Sequence, residues 1–159
     1  MRVQPSKIYA DTINGLGGVA VPIPGAEIYT ASQQGVVDGG DLPVANMVPL
    51  KLFEVSKYFS LTYHNYGATL LAINLAVWKS MTSDEQKLLI SVGKEAQARH
   101  RQGMERVDNL AGAKNLLEPR GLAVNAANIG AFKEVAKDKI WPQYQPQYQE
   151  IWQKLTSSG

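Results

Sequence analysis

The first forty residues alternate short apolar runs with stretches whose apolar positions recur at helical spacing. Ser6 precedes a helical stretch reaching Ile13, and Gly15-Leu16-Gly17-Gly18 ends it, since glycine supplies the left-handed residue of a helix stop. Val19-Ala20-Val21 follows as a short strand. Pro24 leads into a second helix over Ala26 to Gln34, Gly35 stands past its end, and Val36-Val37-Asp38 is a further strand. This alternation predicts an α/β domain whose ligands collect outside the carboxyl ends of the strands.

Beyond that point the periods change. Pro43 to Val55 has helical spacing disturbed at Pro49, and Tyr58 to Tyr63 is aromatic and β-compatible. Ala68-Thr69-Leu70-Leu71-Ala72-Ile73 is apolar on both faces, which predicts a strand buried inside a sheet. Thr82-Ser83-Asp84-Glu85 is a capping box. It opens a helix whose stripe of Leu88, Val92, Ala96, Val107 and Leu110 carries on to Leu117, with a bend expected at Gly103. Such a helix is on the order of 50 Å long, enough to bridge two bodies.

Gly121 stops this helix, Leu122-Ala123-Val124 is a short strand, and Asn125 or Asn128 caps a helix to Ile140. Pro142 starts a last helix carrying Trp141, Tyr144, Tyr148 and Trp152 at spacings of three and four, a pattern read as core. Residues 156–159 read as a tail.

The composition narrows the function classes. The 159 residues suffice for one packed domain, and 45% hydrophobic with 19% charged residues is too apolar for a disordered chain. A net charge of +2 provides no dense positive field, so nucleic acid is not an expected partner. The absence of cysteine removes disulfides and thiolate chemistry, and two histidines, His64 and His100, make a histidine metal site unexpected. Met1-Arg2-Val3-Gln4-Pro5 is not followed by the apolar run of about 7–15 residues that a signal peptide requires. No apolar run approaches the roughly 20 residues of a membrane span.

Few residues read as chemistry. The glycines at 15–18 follow a helix and precede a strand, the reverse of a phosphate-binding loop. Asp38-Gly39-Gly40-Asp41 sets two carboxylates around a turn at a strand end, which reads as an acid pair, a cation site or a plain turn. His64, with Asn65 and Tyr66, ends another strand where sheets bind ligands, and reads equally as a structural histidine. His100 lies among Arg99, Arg101 and Gln102 on a solvated helix face. There is no Gly-x-Ser-x-Gly elbow. Two readings without transport stay open: a small α/β enzyme using Asp38, Asp41 and His64 as acid and base, and an interaction module built on the long helix and aromatic stripe. The first requires those groups within reach of one substrate, the second an exposed apolar face rather than buried tryptophans.

A third reading comes from resemblance. Arg2-Val3, Glu27-Ile28-Tyr29-Thr30-Ala31, Gln34-Gly35-Val36-Val37-Asp38-Gly39-Gly40-Asp41-Leu42-Pro43, Lys51-Leu52-Phe53-Glu54-Val55-Ser56-Lys57-Tyr58 and Leu61-Thr62-Tyr63-His64 stand in the order and spacing of one family. The chain resembles the solute-binding proteins of tripartite ATP-independent periplasmic (TRAP) transporters, of the dicarboxylate-binding (DctP) type.

The resemblance implies a non-catalytic periplasmic receptor that closes on an organic acid and delivers it to a membrane permease, with no cofactor and no metal. It implies a type II binding-protein lobe, a mixed sheet flanked by helices, with a long lobe-bridging helix. This chain then corresponds to the C-terminal part of a longer receptor, the first lobe largely missing. Residues 1–67 and 109–155 form the second ligand-binding lobe, and 68–108 belong to the first.

The ligand contacts it implies are Arg2, which grips the carboxylate, Asp41, which orients cleft arginines, and His64 beside the same cleft. Two positions depart from the family pattern. Leu42 replaces an asparagine that contacts ligand, and Gly25 replaces an aromatic wall, so a roomier, less polar pocket is expected. Ala68 to Ile73, separated from its sheet partners, is expected to drive association into a dimer or swapped oligomer.

Overall fold

A computed structural model describes residues 1–156 of the chain. The described residues form four short strands and eight α-helices, which alternate only in the first part of the chain. Strand β1 (Arg2–Val3) leads to helix α1 (Lys7–Gly15), strand β2 (Val21–Pro22) and helix α2 (Ile28–Gln33). Strand β3 (Tyr58–Leu61) precedes helices α3 (Leu75–Ser80), α4 (Ser83–Val107) and α5 (Leu110–Leu117). Strand β4 (Ala123–Ala126) and helices α6 (Ile129–Val135), α7 (Trp141–Tyr144) and α8 (Gln149–Thr156) complete the order. Of the expected tail, Thr156 closes α8 and 157–159 lie outside the described residues.

The strands form two parallel pairs. β1 pairs with β2, Arg2 opposite Val21, and Arg2 also bridges Gly40 on its other side. β3 pairs with β4 from Tyr58 opposite Ala123 to Leu61 opposite Ala126. Every pairing among the described residues is thus parallel, the parallel part of the mixed sheet expected. The core lies against the second pair, where Ile28, Met47, Leu52 and Leu61 meet Leu117 and Val124. Each such side chain contributes roughly 1.5–3 kcal/mol relative to exposure. Nothing between 62 and 112 joins the buried apolar set.

Local signals placed most boundaries. Thr82 and Glu85 form both bonds of the capping box, Asn128 accepts from Ala131 N, and Gly35 ends α2 at φ +69°. Ser6 sits at the start of α1 in extended conformation, though its side chain makes no capping bond. Glycine is also required by packing at Gly15, where a Cβ would stand 2.5 Å from Ile140 Cγ1.

Six expectations change. Pro43 to Val55 forms single 3-10 turns, Val44–Asn46 and Leu52–Glu54, because Pro49 supplies no amide and Lys51 takes φ +53°. The strand foreseen at Val36 to Asp38 shifts to Gly40, where β1 offers a partner. The long helix does not continue to Leu117. α4 ends at Val107, about 37 Å from its start, Asp108 leaves helical geometry, and Asn109 caps α5 afresh by accepting from Gly112 N. The helix expected to reach Ile140 passes at Ala136 into a π-helical turn, and the aromatic stripe is divided, with Trp141 and Tyr144 on α7, Tyr148 in the turn after it and Trp152 on α8. Ala68 to Ile73 is not a strand: it has no pairing partner among the described residues, and Leu70 and Leu71 are exposed. A strand exists only by its hydrogen bonds to a neighbour, so apolar pattern alone does not make one.

A candidate carboxylate-binding site

Arg2 enters the site because β1 holds its backbone on both sides. Its amide donates to Gly39 O and its carbonyl accepts from Asp41 N, while β2 lies along the other edge. Only 2% of the residue is exposed. Its Nε donates to Ile23 O at 2.8 Å and its Nη1 to Asp41 O at 3.4 Å. Neither acceptor is a carboxylate. Burial lowers the Arg2 pKa from its ordinary value, and the negative charge of Asp41 opposes that shift. A guanidinium remains protonated regardless. Arg2 is therefore a buried cation bonded to neutral carbonyls, and Nη2 makes no hydrogen bond among the described residues. Such a group is stabilised by an anion presented to its open edge.

Asp41 links Arg2 to the second strand pair. Its carboxylate accepts from Asn65 Nδ2 at 3.3 Å through Oδ2, and His64 Nε2 lies 3.3 Å from Oδ1. The His64 approach is within ion-pair distance but lacks hydrogen-bond alignment, so Nε2 is buried without a bonded partner. The other ring nitrogen, Nδ1, is 2.6 Å from Thr62 Oγ1. Tyr63, at φ +46°, turns the chain between these two residues.

The other expected contacts divide. Gly25 stands at the guanidinium: a Cβ there would meet Nη2 at 4.0 Å, an ordinary contact, so nothing covers this face. Gly25 also lines a groove of about 310 Å³ with Tyr29, Lys51 and Glu54, where Tyr29 donates to Glu54 at 2.8 Å. Leu42 packs against the core and its Cδ1 approaches Gly40, so it faces inward. Asp41, Leu42 and His64 line a larger cavity, about 780 Å³, between the two strand pairs. Asp38 is exposed at its rim and bonds to neither Asp41 nor His64, so the three do not form an acid–base constellation.

Two contributors escaped the sequence. Thr62 shows itself only as a hydroxyl two residues before His64. The Ile23 carbonyl carries no signal, since any residue supplies one. Among the described residues no group of three acidic or histidine side chains could hold a metal ion, and no helix is long and apolar enough to cross a membrane.

Comparison with known proteins gives one consistent answer. Residues 1–152 match the model of the DctP family, bacterial extracellular solute-binding protein family 7. A solute-binding protein of Roseobacter denitrificans is 27% identical over 99% of this chain and 48% of its own length. Two solved TRAP periplasmic solute-binding proteins superpose well. One from Fusobacterium nucleatum, with bound sn-glycerol-3-phosphate, has a TM-score of 0.82 at 26% identity, over 98% of this chain and 51% of its own. One from Sulfitobacter, with bound β-D-galacturonate, has a TM-score of 0.79 at 25% identity, over 96% of this chain and 50% of its own. The chain spans about half the length of these relatives.

Proposed function

Since the chain belongs to the bacterial extracellular solute-binding protein family 7, we propose that it forms part of a periplasmic receptor that binds an organic acid and hands it to a TRAP permease. The family and its solved members are solute-binding proteins rather than enzymes. The observation that carries the proposal is Arg2, a buried guanidinium whose protein partners are neutral carbonyls and whose Nη2 is unengaged. A ligand carboxylate takes that edge with two parallel bonds. Asp41 positions the guanidinium and is itself held by Asn65, with His64 beside it. Gly25 leaves the ligand body room along the neighbouring groove, and Leu42 acts from behind, through packing.

Residues 1–67 and 109–155 constitute the second lobe in this reading, and 68–108 belong with the first. The distribution of the core supports it: buried apolar residues come from both flanking segments and none from 68–108. The exposed apolar segment Ala68 to Ile73 then makes the isolated chain self-associate.

Titration with D-galacturonate, followed by nitrogen-edited NMR, tests the acid site at the weak affinity half a cleft provides. The Arg2 Nε–H and Asp41 amide signals are expected to move on titration, and the Asp41 amide to stay still in Arg2→Ala, which has no guanidinium. Equal shifts across the spectrum in both proteins would sink the carboxylate clamp.

A further inference from the structure

Thr62 follows the last residue of β3, and its hydroxyl meets an imidazole only two positions along the chain. Thr62 Oγ1 and His64 Nδ1 are 2.6 Å apart. Extended backbone would hold the Cα atoms of two such residues roughly 6.7 Å apart, with their side chains side by side. Tyr63 breaks that spacing, because its φ of +46° lies in the left-handed region and draws its two neighbours together. A bulky residue keeps that conformation only where its surroundings hold it. Here Tyr63 Oη donates to Asp108 O at 3.4 Å, which fastens the turn to the residue after α4.

His64 thereby stands between a hydroxyl and a carboxylate, with Nε2 3.3 Å from Asp41 Oδ1. An ionised carboxylate only accepts, whereas a hydroxyl donates or accepts. In the neutral ring the favourable arrangement has Thr62 donating to Nδ1 and the proton on Nε2, on the side of Asp41. The reverse tautomer sets a lone pair against the anion. An imidazolium keeps the contact with Asp41, and the Thr62 hydroxyl then turns to accept. In both states the bond to Thr62 fixes the rotation of the ring about Cβ–Cγ, and so decides which ring edge Asp41 meets.

Asp41 carries the effect to β1. Its Oδ2 accepts from Asn65 Nδ2 at 3.3 Å, its amide donates to Arg2 O at 3.0 Å, and its carbonyl accepts from Arg2 Nη1 at 3.4 Å. Its charge also acts on the guanidinium, against the effect of burial. Every contact along this path is made within the described chain.

We propose that Thr62 is a positioning residue for acid binding: its hydroxyl fixes the His64 ring beside Asp41, and Asp41 holds the Arg2 guanidinium in the attitude that receives a carboxylate. This rests on the reading of Arg2 as the acid site and adds to it a residue that acts through two others.

Nitrogen NMR of the full chain tests it, first without ligand. Thr62→Val removes the hydroxyl and keeps a branched side chain, while Thr62→Ser keeps the hydroxyl. Thr62→Val is expected to move the His64 Nδ1, Asp41 amide and Arg2 Nε–H signals, and Thr62→Ser to leave all three at the parent's positions. D-galacturonate should then bind about fivefold more weakly to Thr62→Val, the worth of one hydrogen bond, and with parental affinity to Thr62→Ser. In a His64→Ala background, Thr62→Val should cause no further loss, since the hydroxyl acts through the ring. An unmoved Nδ1 signal or parental affinity in Thr62→Val overturns the proposal. A fivefold loss that persists undiminished in His64→Ala overturns it as well, because Thr62 then touches the ligand itself. So does a loss that Thr62→Ser shares, which marks a packing role. If D-galacturonate leaves the parent's spectrum unmoved, the acid-site reading falls, while the three signals of the free protein still decide whether Thr62 fixes His64 and Asp41.

Discussion

The hydroxyl of Tyr144 donates a 2.6 Å hydrogen bond to the carboxylate of Asp11, joining α7 to α1 across 133 residues of sequence. Lys7 also bonds to that carboxylate, and its ammonium lies 5.8 Å from the Tyr144 ring centroid. The bond to Asp11 pushes the Tyr144 pKa up to about 12, while the bonds from Lys7 and then Tyr144 lower that of Asp11. The two shifts bound a pH window. The folded state holds the phenol proton more tightly than the unfolded chain, so Tyr144 stabilises fully below its ordinary value of 10.0 and loses that contribution as pH rises towards about 12. Asp11 contributes above its ordinary value of 3.8 and loses that contribution as pH falls through its lowered folded value. Tyr144→Phe is expected to lower the urea midpoint at neutral pH with unchanged m, and to flatten the alkaline fall. A variant with the parent's alkaline profile would show that the hydroxyl does not hold α7.

A second prediction concerns the corner between α4 and α5. A Cβ on Gly112 would stand 2.0 Å from Arg106 O and 2.8 Å from Val107 Cα, and backbone atoms there have nowhere to move. Alanine favours a helix over glycine by about 1 kcal/mol. An overpacked contact costs about 1–3 kcal/mol, and here the clash with backbone wins. Gly112→Ala should therefore destabilise. Gly103→Ala, inside α4 with nothing within 4 Å of its Cβ, should stabilise by roughly 0.5–1 kcal/mol. Denaturant unfolding of the pair gives the answer, and equal shifts of the same sign would contradict the packing account.

These cases indicate what a single sequence discloses. Capping boxes, helix-stop glycines and strand-helix alternation act through neighbours a few residues away, so Thr82 and Gly35 are legible directly, while the structure selects Asn128 over Asn125 as the cap of α6. The π turn at Ala136 left no local mark, and the α4–α5 break is marked only by Asn109, an N-cap inside a continuous apolar stripe. Ala68 to Ile73 shows the converse. Its apolar pattern predicts a buried strand, and the structure leaves it unpaired and exposed, because a strand needs a partner that the described chain does not hold. At the site, Arg2, Asp41 and His64 came from resemblance, and the structure sets Arg2 against Asp41 and Asp41 beside His64. Thr62 and the Ile23 carbonyl join them only through three-dimensional proximity.

Gly25 offers a test of ligand size. Its missing side chain leaves Nη2 of Arg2 open towards the groove that runs past Tyr29 and Lys51. Gly25→Ala places a Cβ at ordinary contact distance and should leave both stability and acid binding close to the parent. Gly25→Trp fills the groove mouth. It is expected to weaken D-galacturonate about tenfold, about 1.4 kcal/mol, while acetate, which needs only the guanidinium edge, changes little. Parallel loss of both acids in the NMR titration would mean that the tryptophan displaces Arg2 rather than narrowing the groove.

The last prediction follows from the isolation of α4. None of its 25 residues is buried, so tertiary packing contributes little and its first turn depends on local bonds. Glu85 accepts from Thr82 N at 2.7 Å and from Thr82 Oγ1 at 2.8 Å, and Glu85 N donates back to Thr82 Oγ1 at 3.3 Å. The backbone bond first and the hydroxyl second lower the Glu85 pKa below its ordinary 4.5. Its stabilising effect is therefore present above pH 4.5 and lost as pH falls through the lowered folded value, when the protonated acid gives up its charge-assisted bonds. Far-UV circular dichroism should show helix content falling on acidification in the parent. Thr82→Ala, which removes the hydroxyl but keeps the Thr82 amide bond, should start lower and lose less. Glu85→Gln should also start lower and lose its own share of the acid response, since an amide accepts those bonds without titrating. If all three proteins trace the same acid profile, the capping box is not what secures the exposed helix.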